Sequence, residues 1–171
     1  TTNLGKSGAA FDIRTARTYT DYRRLLDREE LDAVLCILPT HLHAEFSIAA
    51  LERGLHVFTE KPMALTERDC NRMIAARDRA QRHLMVGQCL RFWPEYEVLR
   101  KAVREQPYGP LRSLLMERIG SYSFWSYRDW MNDARLSGGA ILDLHLHDVD
   151  WVLFALGKPQ RLAASGLKGL S

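Results

Sequence analysis

Apolar and polar stretches in the first half of the chain predict a strand, a helix and a second strand. The strands are expected over residues 33–38 and 56–58, with the helix over 43–53 between them. The first apolar run stops at Pro39 and is typical of a buried parallel strand. Gly54 gives the helix its stop signal. Together these elements form a βαβ unit, the building block of parallel α/β sheets.

The rest of the chain continues this pattern up to about residue 93 and then changes. Further helices are predicted at about 19–26 (with Thr20 or Asp21 as cap), 66–81, 95–105 and 140–156, and further strands at 84–86, 112–119 and 161–167. The strand over 112–119 alternates polar and apolar residues, as a strand with one packed face does. We therefore place a domain boundary near residue 93, giving domains 1–92 and 93–171.

A binding site is expected where the first two strands end. In open α/β sheets, ligands bind beyond the carboxyl ends of the strands. Residues 39–43 and 59–62 fall at such ends. Pro62 biases Lys61 towards an extended backbone, so the lysine is expected on a fixed loop rather than inside a helix.

A second group of polar residues lies far downstream, on the helix after Gly139. Asp143, His147 and Asp150 fall at i, i+4 and i+7, so they share one face. A carboxylate, an imidazole and a distant lysine together can bind a hydroxyl group and move its proton. The alternative is structural: Asp143 caps the helix, His147 bonds a neighbour, and Lys61 is a solvated surface lysine.

Composition and charge narrow the class of protein. The 171 residues are 46% apolar and 26% charged, as in ordinary globular proteins. The net charge of +3 is spread along the chain and no apolar run is long enough for a membrane span, so neither nucleic acid nor membrane is an expected partner. Three cysteines without a CxxC pair predict reduced thiols and a cytoplasmic location.

Five motifs in this order make the sequence resemble the Gfo/Idh/MocA oxidoreductases (glucose–fructose oxidoreductase, inositol dehydrogenase and relatives). The motifs are PTHLHAE at 39–45, ALERGLHV at 50–57, EKP at 60–62, RFWP at 91–94, and GGAILD at 138–143 with HDVD at 147–150. The resemblance implies an α/β fold: a Rossmann-type parallel sheet that binds NAD or NADP, followed by an α+β domain with a mostly antiparallel sheet. It also implies a sugar, inositol or related polyol as substrate, and allows a homo-oligomer formed through the C-terminal sheet.

The resemblance also assigns roles to individual residues. It implies Lys61, Asp143 and His147 as catalytic residues; Pro39, Thr40, His43, Glu60 and Lys61 at the cofactor; and Arg91, Trp93, Asp143 and His147 at the substrate. In this interpretation a substrate carbinol gives a hydride to the nicotinamide while Lys61 removes the hydroxyl proton. His147 would hydrogen-bond the same hydroxyl or relay the proton, and Asp143 would orient a neighbouring hydroxyl.

Two parts of the family pattern are missing, and two other functions stay open. Residues 1–30 contain no strand followed by GxGxxG, and only two strands of the larger sheet are predicted, so we expect a piece of a longer enzyme. The first alternative is a non-catalytic binding or dimerisation relic of such an enzyme. The second is a metal-dependent hydrolase that uses the pairs His41-x-His43 and His145-x-His147. The second of these pairs lies on a predicted helix, where i and i+2 side chains do not converge.

Overall fold

The computed structural model describes residues 16–121 and 123–166 and divides the chain into two compact units between Leu31 and Asp32. Residues 1–15, half of the stretch in which GxGxxG is missing, lie outside the described residues, as does Leu167 at the end of the last predicted strand. The first unit contains helix α1 (Tyr22–Arg28). Asp21 caps it by accepting a hydrogen bond from a backbone N–H of its first turn, so Asp21 is the cap of the two considered.

The second unit is built on a three-stranded parallel sheet with the order β1-β2-β3. The strands are β1 (Ala33–Cys36), β2 (His56–Thr59) and β3 (Leu84–Val86). This confirms the predicted parallel sheet. β1 is two residues shorter than predicted because Cys36 pairs with Thr59, where β2 itself ends.

Two helices connect these strands and pack on one face of the sheet. The other face is open, with Leu35 67% and Met85 48% exposed, so the prediction of a buried first strand is wrong. α2 (His43–Glu52) packs against both β2 and α3 (Glu67–Ala80). Thr66 caps α3 by accepting a hydrogen bond from the Asp69 N–H at 3.1 Å. The core of this layer consists of buried apolar side chains, namely Ala50, Leu51, Val57, Met73 and Ala76.

Three further helices follow: α4 (Pro94–Glu105), α5 (Ala134–Ser137) and α6 (Leu146–Leu156). The buried Trp151 of α6 meets the ring of Tyr96 on α4 edge to face, with 5.5 Å between ring centroids. The helix predicted over 140–156 is divided, because a π-helical turn, Ile141–His145, precedes α6.

The antiparallel sheet predicted for the second half is not formed within the described residues. Residues 111–121 and 161–166 have no regular secondary structure. Exposure alternates along these residues, but not by polarity as predicted: Leu114, Met116 and Arg118 are partly buried. Leu115 and Ile119 on the other side are 81% and 93% exposed. A strand also needs a hydrogen-bonded neighbour, and no described segment pairs with these residues.

Candidate functional site

The loops that follow the three strands are held side by side by backbone hydrogen bonds. The Glu60 N–H donates to the Cys36 carbonyl at 3.1 Å, and the Gly87 N–H donates to the Thr59 carbonyl at 2.9 Å. Parallel pairing therefore continues one residue beyond each strand. The residues that follow β1, β2 and β3 are brought to one edge of the sheet, as the sequence predicts.

Lys61 on the loop after β2 contacts Asp143 in the π-helical turn. Its Nζ donates to Asp143 Oδ1 at 3.1 Å and to the Asp143 carbonyl at 2.8 Å. The two side chains are only 19% and 14% exposed, so the ion pair is largely shielded from solvent. The backbone N–H of Lys61 donates to Glu60 Oε2 at 3.1 Å, which orients the loop. The predicted lysine and carboxylate thus form a single cluster.

His147 lies near this ion pair and its Nδ1 is 4.0 Å from the sulfur of Cys89. Burial lowers the pKa of His147 below its usual 6.5, and the positive charges of Lys61 and Arg118 lower the pKa further, against the opposing effect of Asp143 and a second carboxylate. This shift favours the uncharged imidazole.

The ring of His43 is buried and faces backbone on both sides. Its Nδ1 is 2.7 Å from the Pro62 carbonyl oxygen and its Nε2 is 2.7 Å from the Leu38 carbonyl oxygen. The imidazole therefore links the end of the first strand segment to the loop that carries Lys61. It acts on this edge of the sheet by fixing the backbone.

Two buried polar atoms at the strand ends have no hydrogen-bond partner in the part of the chain that the structure describes. They are Oγ1 of Thr40, after β1, and Oε1 of Gln88, after β3. A buried polar atom without a partner costs about 1–3 kcal/mol, so such atoms point to a ligand or water as partner. The donor and acceptor groups of a nicotinamide cofactor fit this need. Gln88 was not predicted as a site residue, although its place directly after a strand was a usable signal.

Arg91 and Trp93 lie on the turn and helix start that follow β3. Arg91 donates to both carboxylate oxygens of Asp150, at 2.8 and 2.5 Å, and this contact raises the pKa of Arg91. Trp93 is about half exposed and meets Tyr96 edge to face. The guanidinium group is thus committed to an ion pair, whereas the indole ring is accessible.

A buried ion pair between Arg118 and Asp148 was not predicted. Arg118 donates to the two oxygens of Asp148 at 2.9 and 2.7 Å, and the aspartate is only 3% exposed. The guanidinium holds the pKa of Asp148 below its usual value. The alternation over residues 112–119 was no signal for this contact, because it would place a polar residue such as Arg118 on the exposed side. This ion pair anchors residue 118 to α6, one residue beyond His147.

The shared helix face predicted from spacing is present. Each of its three members contacts a residue that follows a strand: Asp143 contacts Lys61, His147 contacts Cys89, and Asp150 contacts Arg91. His145 points elsewhere, with Nδ1 3.3 Å from Asp148. Within residues 16–121 and 123–166 no three His, Cys, Asp or Glu side chains converge to hold a metal ion.

Two family models match the chain. Residues 3–88 match an oxidoreductase family described as having an NAD-binding Rossmann fold, and residues 96–169 match the GFO/IDH/MocA C-terminal domain. The chain therefore belongs to the Gfo/Idh/MocA oxidoreductase family. This confirms the resemblance drawn from its motifs and, at the level of the family, the predicted NAD cofactor.

Individual relatives agree with this assignment. An uncharacterized oxidoreductase of Rhizobium meliloti is 31% identical, over 82% of this chain and 42% of that protein. Myo-inositol 2-dehydrogenase of Thermotoga maritima is 33% identical, over 83% and 41%. The WlbA dehydrogenase of Bordetella pertussis, solved with NADH and UDP-GlcNAcA, has a TM-score of 0.71 and 26% identity, over 83% and 42%. The chain thus spans about two-fifths of the length of these proteins.

Proposed function

We propose that the chain acts in an NAD(P)-dependent oxidoreductase that moves a hydride between the nicotinamide and a hydroxyl or carbonyl carbon of a sugar, inositol or related polyol. Lys61 is the general acid and base of this reaction. The observation that carries the proposal is the shielded contact of Lys61 with Asp143 at the strand ends. The inositol dehydrogenase and the WlbA dehydrogenase among the relatives support the substrate class.

The loops after β1 and β2 would hold the nicotinamide end of the cofactor. The residues that would hold it are Pro39, Thr40, His43, Glu60 and Lys61. When bound, the nicotinamide supplies the acceptor or donor of the hydride. The unpaired Thr40 hydroxyl and Gln88 amide oxygen offer hydrogen bonds to it, and His43 keeps the two loops in position.

The protein's own part in the reaction is to hold the substrate and move one proton. During oxidation the carbinol C–H bond breaks with its electron pair leaving as hydride, and the hydroxyl proton passes to Lys61 Nζ, which first releases one of its own protons to solvent and so acts as the neutral amine. Reduction reverses both transfers. Asp143 orients the lysine and a neighbouring hydroxyl, and His147 hydrogen-bonds the reacting oxygen. The accessible ring of Trp93 covers a sugar face, and Arg91 positions substrate hydroxyls from its fixed ion pair.

Three further points belong to this proposal. Residues 1–92 and 93–171 act as cofactor and substrate domains. The exposed Leu115 and Ile119 support a homo-oligomer formed through the C-terminal residues. The free thiols at Cys36, Cys70 and Cys89 support a cytoplasmic location.

Separately, every helix among the described residues is too short or too polar to span a membrane.

Cofactor binding is the direct test. NADH and NADPH are titrated into the chain and the cofactor fluorescence is followed, with circular dichroism as the check on folding. We expect dissociation constants between about 1 μM and 1 mM. Lys61→Met is expected to weaken binding, whereas the control Lys101→Met, on the exposed side of α4, leaves binding unchanged. A folded chain that binds neither cofactor at millimolar concentration would overturn the proposal and favour the non-catalytic relic.

Activity is the second test. A panel of inositols, aldoses and nucleotide sugars is offered with NAD or NADP, and cofactor absorbance reports turnover. We expect Lys61→Met to lower kcat by roughly 100- to 10,000-fold, the usual contribution of a positioned acid or base. Equal kcat for Lys61→Met and wild type would remove Lys61 from the chemistry, whatever the substrate.

A further inference from the structure

We infer that Cys89 is a positioning residue whose thiol donates a hydrogen bond to Nδ1 of His147 and thereby fixes the imidazole proton on Nε2. The position of this proton is a property of the chain itself. Its consequence for catalysis rests on the proposed function.

The two residues are brought together by packing between elements 58 positions apart. Cys89 opens the 3-10 turn Cys89–Phe92 directly after β3, and α6, which carries His147, packs on that turn. Sγ and Nδ1 are 4.0 Å apart, within the longer range of sulfur hydrogen bonds. The Cys89 N–H donates to the Gly87 carbonyl at 2.9 Å, so the backbone that carries the thiol is held in place.

The direction of the hydrogen bond follows from the donor and acceptor properties of the two groups. A neutral imidazole has one N–H and one basic nitrogen, whereas a thiol is a weak donor and a weak acceptor. With the proton on Nε2, the thiol S–H meets a good acceptor in Nδ1. With the proton on Nδ1, that N–H would have only sulfur as acceptor. Among the described residues Nδ1 of His147 has no other partner, so the first arrangement is favoured.

The surroundings of His147 support a neutral ring, which this arrangement requires. Burial and the nearby positive charges of Lys61 and Arg118 lower the pKa of His147, and the carboxylates of Asp143 and Asp148 compensate only in part. Within the described part of the chain, Nε2 makes no hydrogen bond. Its N–H is left to face the substrate.

This assignment distinguishes between two roles for His147. A ring with its proton on Nε2 can donate to a lone pair of the substrate oxygen but cannot accept the hydroxyl proton there. His147 therefore orients and polarises the reacting oxygen, and Lys61 alone transfers the proton. The proton relay that the motifs left open is disfavoured.

The test reads the tautomer directly by NMR. A chain labelled with 15N-histidine is measured at about pH 8, above the ordinary histidine pKa, in long-range proton–nitrogen correlation spectra. Protonated and unprotonated ring nitrogens have well-separated 15N shifts. The His147 signals are assigned by their loss in His147→Gln. We expect His147 to have its proton on Nε2, and a wild-type ring with its proton on Nδ1 would overturn the inference without any variant.

Three variants test whether Cys89 sets the tautomer. Cys89→Ala removes the donor and is expected to lower the ratio of the two tautomers by about three- to tenfold, as the loss of one ordinary hydrogen bond would. In Cys89→Ser the shorter C–O bond places the hydroxyl oxygen farther from Nδ1 than the 4.0 Å of the sulfur, beyond ordinary hydrogen-bond range, so this variant is expected to behave like Cys89→Ala, whereas Cys70→Ala on α3 leaves the ratio unchanged. An unchanged ratio in Cys89→Ala would assign the tautomer to another cause and overturn the inference.

These spectra need neither cofactor nor substrate, so their outcome is separate from that of the proposed function. If the chain binds cofactor and turns over, Cys89→Ala is expected to lower kcat at unchanged KM, whereas Cys70→Ala leaves both unchanged. A fixed tautomer in a chain without activity would keep the inference and refute only the proposed function.

Discussion

Lys61 and Asp143 are 82 positions apart in the chain, and the structure joins them by two hydrogen bonds from one ammonium group. One bond goes to the carboxylate and the other to the backbone carbonyl of the same aspartate. This double contact connects the loop after β2 to the turn before α6. It therefore ties the candidate proton donor to the helix that carries His147.

Asp143→Asn tests the carboxylate without removing an oxygen acceptor. Because Lys61 keeps its bond to the backbone carbonyl, we expect the fold to persist with a loss of about 1–3 kcal/mol in the free energy of unfolding. Urea denaturation measures this. The control Asp78→Asn disturbs an exposed pair with Arg77 and should cost less than about 1 kcal/mol. Equal losses in the two variants would show that the shielded pair stabilises the fold no more than an exposed pair does.

The ion pair of Arg118 with Asp148 is expected to stabilise the fold more than the pair of Lys61 with Asp143 does. Asp148→Asn leaves the guanidinium of Arg118 without its counter-charge in a largely buried position. We expect a loss of about 3 kcal/mol in the free energy of unfolding. Asp150→Asn is the matched control, since Asp150 also binds an arginine through two oxygens but in a more exposed place. A smaller loss in Asp148→Asn than in the control would contradict this ranking.

The lowered pKa of Asp148 predicts that the stability of the fold depends on pH. Its pKa is lower in the folded chain than in the unfolded one, so the stabilisation is complete above about pH 4 and is lost as the pH falls through the folded pKa. The difference in stability between wild type and Asp148→Asn should therefore shrink below about pH 4. Urea denaturation at stepped pH measures it, and a difference that grows on acidification would contradict the assignment.

His147 predicts a second pH effect of its own. Its pKa is lowered from 6.5, so the unfolded chain binds this proton more readily and stability is lost as the pH falls from 6.5 through the folded pKa. An NMR titration should give a midpoint below 6.5. Lys61→Met should raise the midpoint by removing a positive charge, whereas Lys101→Met should leave it in place. A midpoint at or above 6.5 in the wild type would refute the buried, neutral ring.

Gly138 is expected to be needed for the backbone conformation that leads into the π-helical turn. It has φ +82°, and a Cβ placed there would lie 2.7 Å from Cβ of Leu142. Gly138→Ala therefore combines a strained backbone with a clash, and we expect a loss of about 2–4 kcal/mol in the free energy of unfolding. Gly54→Ala, at φ +76° where a Cβ would meet only Arg82 Nη2 at an ordinary 3.9 Å, should lose only about 1 kcal/mol. Similar losses would show that Leu142 moves aside freely.

Local patterns in the sequence were sufficient for the elements of the first half. Strand and helix bounds agree to within two residues for β1, β2 and α2, because buried faces impose the periods that the sequence displays. The same reasoning placed Lys61 on a fixed loop at a strand end. It also placed Asp143 and His147 on one face of a helix.

Local patterns failed where structure depends on a neighbour. Residues 112–119 alternate like a strand and expose alternate side chains, yet no described segment pairs with them. The helix predicted over 140–156 is interrupted by a π-helical turn after Gly138, and its periodicity gives no sign of the extra residue. For residues 112–119, the lack of a hydrogen-bonded neighbour among the described segments decided the outcome.

The sequence by itself determined the family, the parallel sheet and the chemical groups available at its edge, because each of these follows from residue type and spacing along a short segment. Only the tertiary structure decided which groups meet. The contact of Lys61 with Asp143, that of His147 with Cys89, and the ion pair of Arg118 with Asp148 each join distant segments. Side chains so far apart in the chain find their partners only through packing of whole elements, and that packing leaves no period in the sequence.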